Sequence, residues 1–143
     1  MLFKETIAAI INKDYPLVSN LSNVSAILNQ LENINWCGFY MVFDDGLYLG
    51  PFQGEVACTK IPFNKGICGR CYQEKKTIIV DNVLIDKDHI SCSSASRSEI
   101  VTPIIKDDKV VALIDIDAPI FNRFTNEDKE LLEAIAEILS PLF

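Results

Sequence analysis

The sequence is poor in positive charge and in long apolar runs. Lysine and arginine together number 13 against 20 aspartates and glutamates, which gives a formal net charge of -7. Proteins that bind nucleic acid or an anionic membrane surface present a basic face, so we expect neither partner. No apolar run approaches the roughly 20 residues of a membrane-spanning helix, and no secretory signal is visible. We therefore expect a cytoplasmic protein.

Histidine is also scarce, with a single residue, whereas there are five cysteines. The odd number of cysteines and a reducing compartment argue against a structural disulfide framework. Cys68, Cys71, His89 and Cys92 could supply four zinc ligands, but one pair lies on a predicted helix and not on a short knuckle, so we expect no metal. Cys68 and Cys71 also match a dithiol CxxC motif, without a clear preceding parallel strand. A third alternative is a redox set of Cys58, Cys68 and Cys92.

The order of apolar patterns predicts one α+β domain over residues 1–143, with N-terminal helices in 1–34 and a core in 35–143. Its sheet should be mostly antiparallel, with about six strands and flanking helices, because hairpin turns join most of the strands. Apolar periodicity predicts helices over 1–14, 18–32, 67–74 and 125–139. Period-two patterns predict strands over 35–43, 47–52, 56–62, 77–80, 99–105 and 110–117.

Two predicted helices have apolar stripes that indicate which side faces the core. In the second helix the stripe consists of Val18, Leu21, Val24, Ile27, Leu28 and Leu31. In the last helix it consists of Leu131, Ile135, Ile138 and Leu142, with Leu132 and Leu139 beside it. Thr125 and Asp128 match a capping box and predict where the last helix begins.

The segment DHISCSSASRSEIVTP, residues 88–103, holds the strongest candidate for a site. It places Cys92 in a long polar loop and Glu99 at the start of an apolar strand. Asp115 and Asp117 alternate with Ile116 at the end of another strand, so both should face the same way. Partial burial and mutual repulsion should raise at least one carboxyl pKa, which would make that group an acid near neutral pH. The alternative is that these carboxylates cap strand ends in water.

A second candidate feature is an aromatic face on the first strand, where Trp36 and Tyr40 flank Gly38. Strand alternation puts the two rings on one side, where they could form the wall of a small-molecule pocket. Two aromatic residues in an ordinary core are the more common arrangement. We expect His89 to be a solvated loop residue.

Five segments, in this order and spacing, closely resemble the free methionine-(R)-sulfoxide reductases, small enzymes built on a single GAF domain. The segments are NWCGFYMV, LGPFQGEVAC, IPFNKGICG, HISCSSASRSEIVTPI and ALIDID. The resemblance runs from about Asn35 to Leu142. Cys37 and Cys71 depart from the family pattern, since the position of Cys37 is usually occupied by a small apolar residue and Cys71 lies in a helix that is usually rich in alanine.

The resemblance implies an oxidoreductase that converts free L-methionine-(R)-sulfoxide to methionine. It implies Cys92 as nucleophile and Cys58 as its resolving partner, with Cys68 a candidate for either role. Glu99 would be the acid, and the substrate contacts would be Trp36, Tyr40, Glu99, Asp115 and Asp117. Thioredoxin would recycle the enzyme without a bound cofactor, and a homodimer would be expected. The alternative is a non-catalytic GAF domain that senses a small molecule or redox state.

Overall fold

Six strands form one sheet with helices on both of its faces. The computed structural model describes residues 2–89 and 95–143. In chain order the elements are α1 (Phe3–Ile10), α2 (Leu17–Leu28), β1 (Trp36–Phe43), β2 (Gly46–Gln53), β3 (Lys60–Ile61), α3 (Gly66–Glu74), β4 (Ile78–Val80), β5 (Ser98–Lys106), β6 (Lys109–Ala118), α4 (Asn126–Leu139) and a 3-10 turn (Ser140–Leu142). A helix of the length and apolarity that a bilayer crossing requires is absent from the described residues.

The strand order is β3-β2-β1-β6-β5-β4, and every pairing in the sheet is antiparallel. The predicted α+β class and mostly antiparallel sheet are therefore confirmed. Asp107 and Asp108 have φ angles of 53° and 63°, and Lys106 pairs with Lys109 across them. Two positive φ angles define the tight turn that matches strand twist, so this turn sets the register of the central β5–β6 hairpin.

Alternating side chains on the strands divide the interior into two apolar clusters, one on each face of the sheet. On one face α1, α2 and α4 pack against Cys37, Phe39, Ile114 and Ile116. On the other face α3 packs against a cluster that includes Trp36, Tyr40 and Leu113. The predicted assignment of β1 side chains to two faces is confirmed. The second face also holds the pocket described below.

The N-terminus of α4 is fixed by the predicted capping box. Asp128 Oδ2 accepts a hydrogen bond from the backbone N–H of Thr125 at 2.8 Å. The same oxygen accepts from Arg123 Nη1 at 3.1 Å, and Arg123 Nε donates to the carbonyl of Glu32. These bonds satisfy a backbone donor at the helix start and tie α4 to the connection between α2 and β1.

Several predicted boundaries and faces were wrong. The first helix is shorter than 1–14, and the second ends at Leu28, not at residue 32. Val18 is 60% exposed because α2 turns it away from the sheet. On α4 the most buried side chains are Leu132, Ile135 and Leu139, so Ile138 lies at the edge of the buried face.

Most of the strand predicted over 56–62 is also absent. Within this range only Lys60 and Ile61 form a strand, in which Lys60 pairs with Tyr48 and Ile61 pairs with Leu47. Residues 54–58 therefore form an irregular segment, which we call the Cys58 segment.

Candidate active site

A pocket opens on the α3 face of the sheet, at the edge where one end of each of the strands β1, β5 and β6 lies. Antiparallel register brings these strand ends together, since Asp117 pairs with both Trp36 and Glu99. The pocket is lined by Trp36, Tyr40, Val56, Ala57, Ile61, Ile67, Cys68, His89, Ser96, Glu99, Asp115 and Asp117. Six of the predicted site residues thus share one pocket, although they are up to 81 positions apart in the sequence.

An aromatic wall forms one side of the pocket. The Trp36 ring stacks on Tyr40 at 6.1 Å between centroids and on Phe52 at 5.3 Å. Indole Nε1 of Trp36 donates to the carbonyl of Glu55 at 3.1 Å, and the Tyr40 hydroxyl donates to the carbonyl of Cys58 at 2.9 Å. The predicted aromatic face therefore lines the pocket, and it also holds the Cys58 segment by its backbone.

Glycines allow the close packing behind this wall. A Cβ on Gly38 would lie 2.4 Å from the Cβ of Phe52, and a Cβ on Gly54 would lie 2.5 Å from Cδ1 of Trp36. Gly54 also has a φ of 137°, in the region that side chains disfavour. The last glycine of the motif GPFQG, residues 50–54, is therefore explained by a chain that must pass directly beside Trp36.

Three carboxyl groups line the pocket beside the aromatic wall, because Asp117 on β6 pairs with Trp36 on β1 and with Glu99 on β5. Glu99 is 7% exposed and Asp115 is 5% exposed. Burial raises the pKa of Glu99 well above its usual value, and the charges of Asp115 and Asp117 raise it further. Burial and the charge of Asp115 likewise raise the pKa of Asp117 well above its usual value. The predicted rise in pKa is confirmed, with burial as the largest cause and repulsion next.

Asp115 differs from the other two carboxyl groups. Burial raises its pKa, but hydrogen bonds with Glu99 and Cys68 oppose that rise. The pKa of Asp115 is therefore raised less than those of Glu99 and Asp117, so a negative charge is more favourable on Asp115 than on either of the other two. One oxygen of Asp115 and one of Asp117, both Oδ1, are buried without a hydrogen-bond partner in the described structure. Buried acceptors of this kind are costly unless a ligand donates to them, and a cationic donor suits them best.

Comparison with known proteins agrees with this geometry. Residues 16–140 match the GAF domain family. The free methionine-R-sulfoxide reductase of Escherichia coli is 41% identical over 123 residues, which cover 85% of this chain and 74% of that protein. The chain belongs to the free methionine-R-sulfoxide reductase family.

Solved structures of this reductase family superpose on nearly the whole chain. The reduced form of fRMsr of Staphylococcus aureus has a TM-score of 0.93 and 48% identity, over 99% of this chain and 92% of that one. The free methionine-R-sulfoxide reductase of Neisseria meningitidis, in complex with its substrate, has a TM-score of 0.90 and 38% identity, over 99% and 83% of the two chains.

The cysteines that the reductase resemblance singles out lie in different environments. Cys58 is half-buried in its segment and is disulfide-bonded. Cys68 is a free thiol on α3, 4% exposed, and its Sγ donates to Asp115 Oδ2 at 3.5 Å. Cys92, the predicted nucleophile, lies outside the described residues.

The two cysteines that depart from the family pattern are fully buried, and their thiols donate to backbone carbonyls and not to the carboxyl groups of the pocket. Cys37 lies on the face of β1 that α1, α2 and α4 cover, where its thiol donates to the carbonyl of Ser25. Burial raises its pKa to about 12, which makes it a poor nucleophile. Cys71 lies one turn after Cys68 on α3, and its thiol donates to the carbonyl of Val101. Both behave as small core residues.

Two pocket residues were missed by sequence reasoning. His89 is half-buried and lines the pocket, so the expected solvated loop position is wrong. Its segment is held against α3 because Arg70 pairs with Asp86 at 3.2 Å and with Asp88 at 2.8 Å. Ser96 is 4% exposed and hydrogen-bonds to Asp117, which opposes the rise in that carboxyl pKa. The small polar run before Glu99 was the only signal for it in the sequence.

The four-ligand zinc arrangement is not supported in the described part of the chain. There the only group that could hold a metal ion consists of Cys68, Glu99 and Asp115, with ligand atoms within 4.8 Å of one another. Neither Cys71 nor His89 joins it.

Proposed function

We propose that this protein reduces free L-methionine-(R)-sulfoxide to L-methionine. The observation that carries the proposal is a buried Glu99 beside Asp115 and Asp117 in a pocket that also has an aromatic wall. The Oδ1 atoms of both aspartates have no hydrogen-bond partner among the described residues. The names of the Escherichia coli and Neisseria meningitidis relatives give the same reaction.

Asp115 and Asp117 would bind the substrate ammonium group. Their unpartnered oxygens can accept its hydrogen atoms, and the favoured negative charge on Asp115 balances its positive charge. Trp36 and Tyr40 would contact the apolar part of the side chain. A peptide-bound methionine lacks the ammonium group, so it would leave these buried acceptors unsatisfied.

Glu99 would supply the proton that the sulfoxide oxygen needs. A sulfoxide becomes a good electrophile only when its oxygen is protonated or strongly hydrogen-bonded. The raised pKa of Glu99 keeps its proton available near neutral pH.

Cys92 would be the nucleophile. Its thiolate attacks the sulfoxide sulfur as Glu99 protonates the oxygen, and the oxygen passes to Cys92 as the S–O bond of the substrate breaks. Methionine leaves, and Cys92 remains as a sulfenic acid. The substrate sulfur is reduced and the cysteine sulfur is oxidised by the same two electrons.

Cys58 would resolve this intermediate. Its thiol sulfur attacks the sulfenic sulfur, an S–S bond forms, and the hydroxyl leaves as water with the thiol proton. The disulfide-bonded state of Cys58 supports this role. A cytoplasmic dithiol protein, thioredoxin, would then reduce the disulfide by exchange, without a bound cofactor or metal.

The reaction and the pocket can be tested in one assay. Purified protein with excess dithiothreitol receives free L-methionine-R-sulfoxide, its S epimer or an N-acylated R-sulfoxide in separate tubes, and the reduced products are quantified. We expect turnover of the free R epimer alone. Turnover of the acylated compound would contradict ammonium recognition. No turnover by folded, reduced protein would contradict the proposed activity and favour a sensory GAF domain.

Two cysteine variants separate the proposed roles. Cys92→Ser should abolish methionine formation in a single turnover, because no other nucleophile is proposed. Cys58→Ser should still release about one equivalent of methionine per enzyme but should stall recycling by thioredoxin. Methionine release by Cys92→Ser would move the nucleophile elsewhere, and full turnover by Cys58→Ser would exclude Cys58 as the resolving residue.

A further inference from the structure

Cys68 has an environment that does not suit a redox cysteine. Its side chain is 4% exposed and lies in a cluster with two carboxyl groups, Glu99 and Asp115. Burial raises the pKa of the thiol well above its usual value, and the charges of Asp115 and Glu99 raise it further. Thiol–disulfide chemistry proceeds through the thiolate, which this surrounding disfavours.

The thiol proton of Cys68 instead has a specific acceptor. Sγ donates to Oδ2 of Asp115 at 3.5 Å, from the first turn of α3 across to β6. Oδ1 of the same carboxylate is buried and has no partner in the described structure. The bond therefore divides the carboxylate into one oxygen held by the protein and one left for a ligand.

The position of Cys68 on a helix makes this contact well defined. Residues Ile67, Cys68 and Cys71 on α3 are all buried against the sheet, so the helix presents Sγ to β6 from a fixed direction. A carboxylate without such a donor could rotate about its terminal torsion, which is broad for aspartate. Losing the donor would leave the hydrogen bond with Glu99 to hold Asp115, so the carboxylate would be less well oriented and would have one hydrogen bond fewer.

We propose that Cys68 is a positioning residue, whose thiol orients Asp115 for the substrate ammonium group. The ammonium is the ligand only if the substrate is a free amino acid, so this inference rests on the proposed function. It assigns to one of the three family cysteines a role that serine could fill.

The test compares Cys68→Ala with Cys68→Ser in steady-state kinetics with free L-methionine-R-sulfoxide. Serine keeps a donor at this position and cannot form a disulfide, whereas alanine has neither property. We expect Cys68→Ala to raise KM about 5- to 20-fold with kcat within about 3-fold, and Cys68→Ser to stay within about 3-fold of wild type in both constants. Equal loss of kcat in both variants would overturn the inference, because a redox role fails with either residue.

A matched control is available one helical turn away. Cys71→Ala and Cys71→Ser alter a buried thiol that donates to a backbone carbonyl and not to Asp115. We expect neither to change KM by more than about 2-fold. A KM rise in Cys71→Ala equal to that in Cys68→Ala would show that loss of packing on α3 explains the effect, and would overturn the assignment.

A second measurement uses the wild-type protein and does not depend on a variant that folds. The enzyme is driven with excess substrate without reductant, denatured, alkylated and mapped by mass spectrometry. We expect Cys68 to be alkylated as a free thiol while Cys58 is in a disulfide. A disulfide that contains Cys68 as the main product would overturn the inference. Absence of methionine in the same wild-type sample would instead contradict the proposed function.

Discussion

The chemistry of the pocket at the residue scale depends on which carboxyl group holds a proton. Glu99, Asp115 and Asp117 are brought together by strand register, and burial penalises the charge on each of them. Hydrogen bonds oppose the rise in the pKa of Asp115, whereas the pKa values of Glu99 and Asp117 lie well above their usual values, so a proton is held more readily on Glu99 than on Asp115. One acid and one anion are thus available side by side, in the way that paired carboxyl groups divide roles in other enzymes.

Replacing Glu99 by Gln should lower kcat by about 10²–10⁴-fold, because a positioned proton donor contributes about that much. KM should change far less, since the amide keeps the size of the side chain. Steady-state kinetics with free L-methionine-R-sulfoxide measures both constants. Glu137→Gln, on the exposed side of α4, is the matched control and should match wild type. A Glu99→Gln variant with a wild-type rate would exclude Glu99 as the donor.

The same substitution should change how stability depends on pH. The usual pKa of glutamate is near 4.5, and the folded protein raises it for Glu99. Above pH 4.5 the folded state therefore binds more protons than the unfolded chain, so the free energy of unfolding falls as pH rises. Glu99→Gln should reduce this fall and should stabilise the protein at pH 8 relative to wild type. Urea denaturation between pH 5 and pH 8 measures the effect, and an unchanged slope would contradict the buried-acid description.

At the scale of structural elements, one irregular segment links the aromatic wall to Cys58, the proposed resolving cysteine. The Cys58 segment receives hydrogen bonds from Trp36 and Tyr40 and passes within van der Waals contact of the indole ring at Gly54. These contacts also explain why the predicted strand over 56–62 is mostly absent. The segment has a strand-like alternation, but its backbone carbonyls are held by the aromatic side chains.

Tyr40→Phe should slow closure of the Cys58 disulfide about 3- to 10-fold, because it removes the hydrogen bond to the Cys58 carbonyl while keeping the ring. Methionine formation should slow less than closure does. Rapid-quench experiments that trap the sulfenic acid and count free thiols separate the two steps. Tyr48→Phe, whose hydroxyl bonds to exposed Asp45, is the control. Equal slowing of both steps would mean that the hydroxyl acts on the substrate and not on the segment.

Much of the fold could be predicted at this scale because the signals were local. The alternation of Trp36 and Cys37, the Asp107–Asp108 turn and the capping box at Thr125 all depend on near neighbours, and the structure has each of them. The wrong predictions depend on contacts that are distant in sequence. Val18 is exposed because of how α2 lies on the sheet, and His89 is drawn towards the pocket by a segment that Arg70 holds.

For the site, strand alternation was enough to place Asp115 and Asp117 on one face. It could not show that β5 and β6 are neighbours in a register that pairs Glu99 with Asp117. The cysteine roles came from family resemblance and not from spacing, because thiol proximity depends on the whole fold. That is also why Cys68 could not be told apart from Cys58 before its contact with Asp115 was seen.

At the scale of the whole molecule, the sheet separates the larger apolar cluster on one face from the pocket on the other. One face carries α1, α2 and α4 with an apolar cluster, and the other carries the pocket with its buried charges. The buried carboxyl groups lower the free energy of unfolding, and the apolar cluster under α1, α2 and α4 must offset this cost. Substitutions on the two faces should therefore have different consequences.

Ile135→Ala should lower the free energy of unfolding by about 2–5 kcal/mol, because the side chain is fully buried in the cluster on the face that carries α1, α2 and α4. The kcat/KM per folded molecule should stay near that of wild type. Urea denaturation and kinetics on the same preparation measure both quantities. Ile138→Ala, at the edge of that cluster, should cost less. A larger cost for Ile138→Ala would contradict the orientation of α4.

The two outermost strands of the sheet, β3 and β4, have only two and three residues. An outer strand exposes unpaired backbone donors and acceptors, to which a strand of another molecule can add. Such short outer strands offer an incoming chain few places to bind, and the long, apolar β6 is enclosed between β1 and β5. The strand order therefore protects the protein from edge-to-edge aggregation, although its central strands have the apolar composition that aggregates readily when exposed.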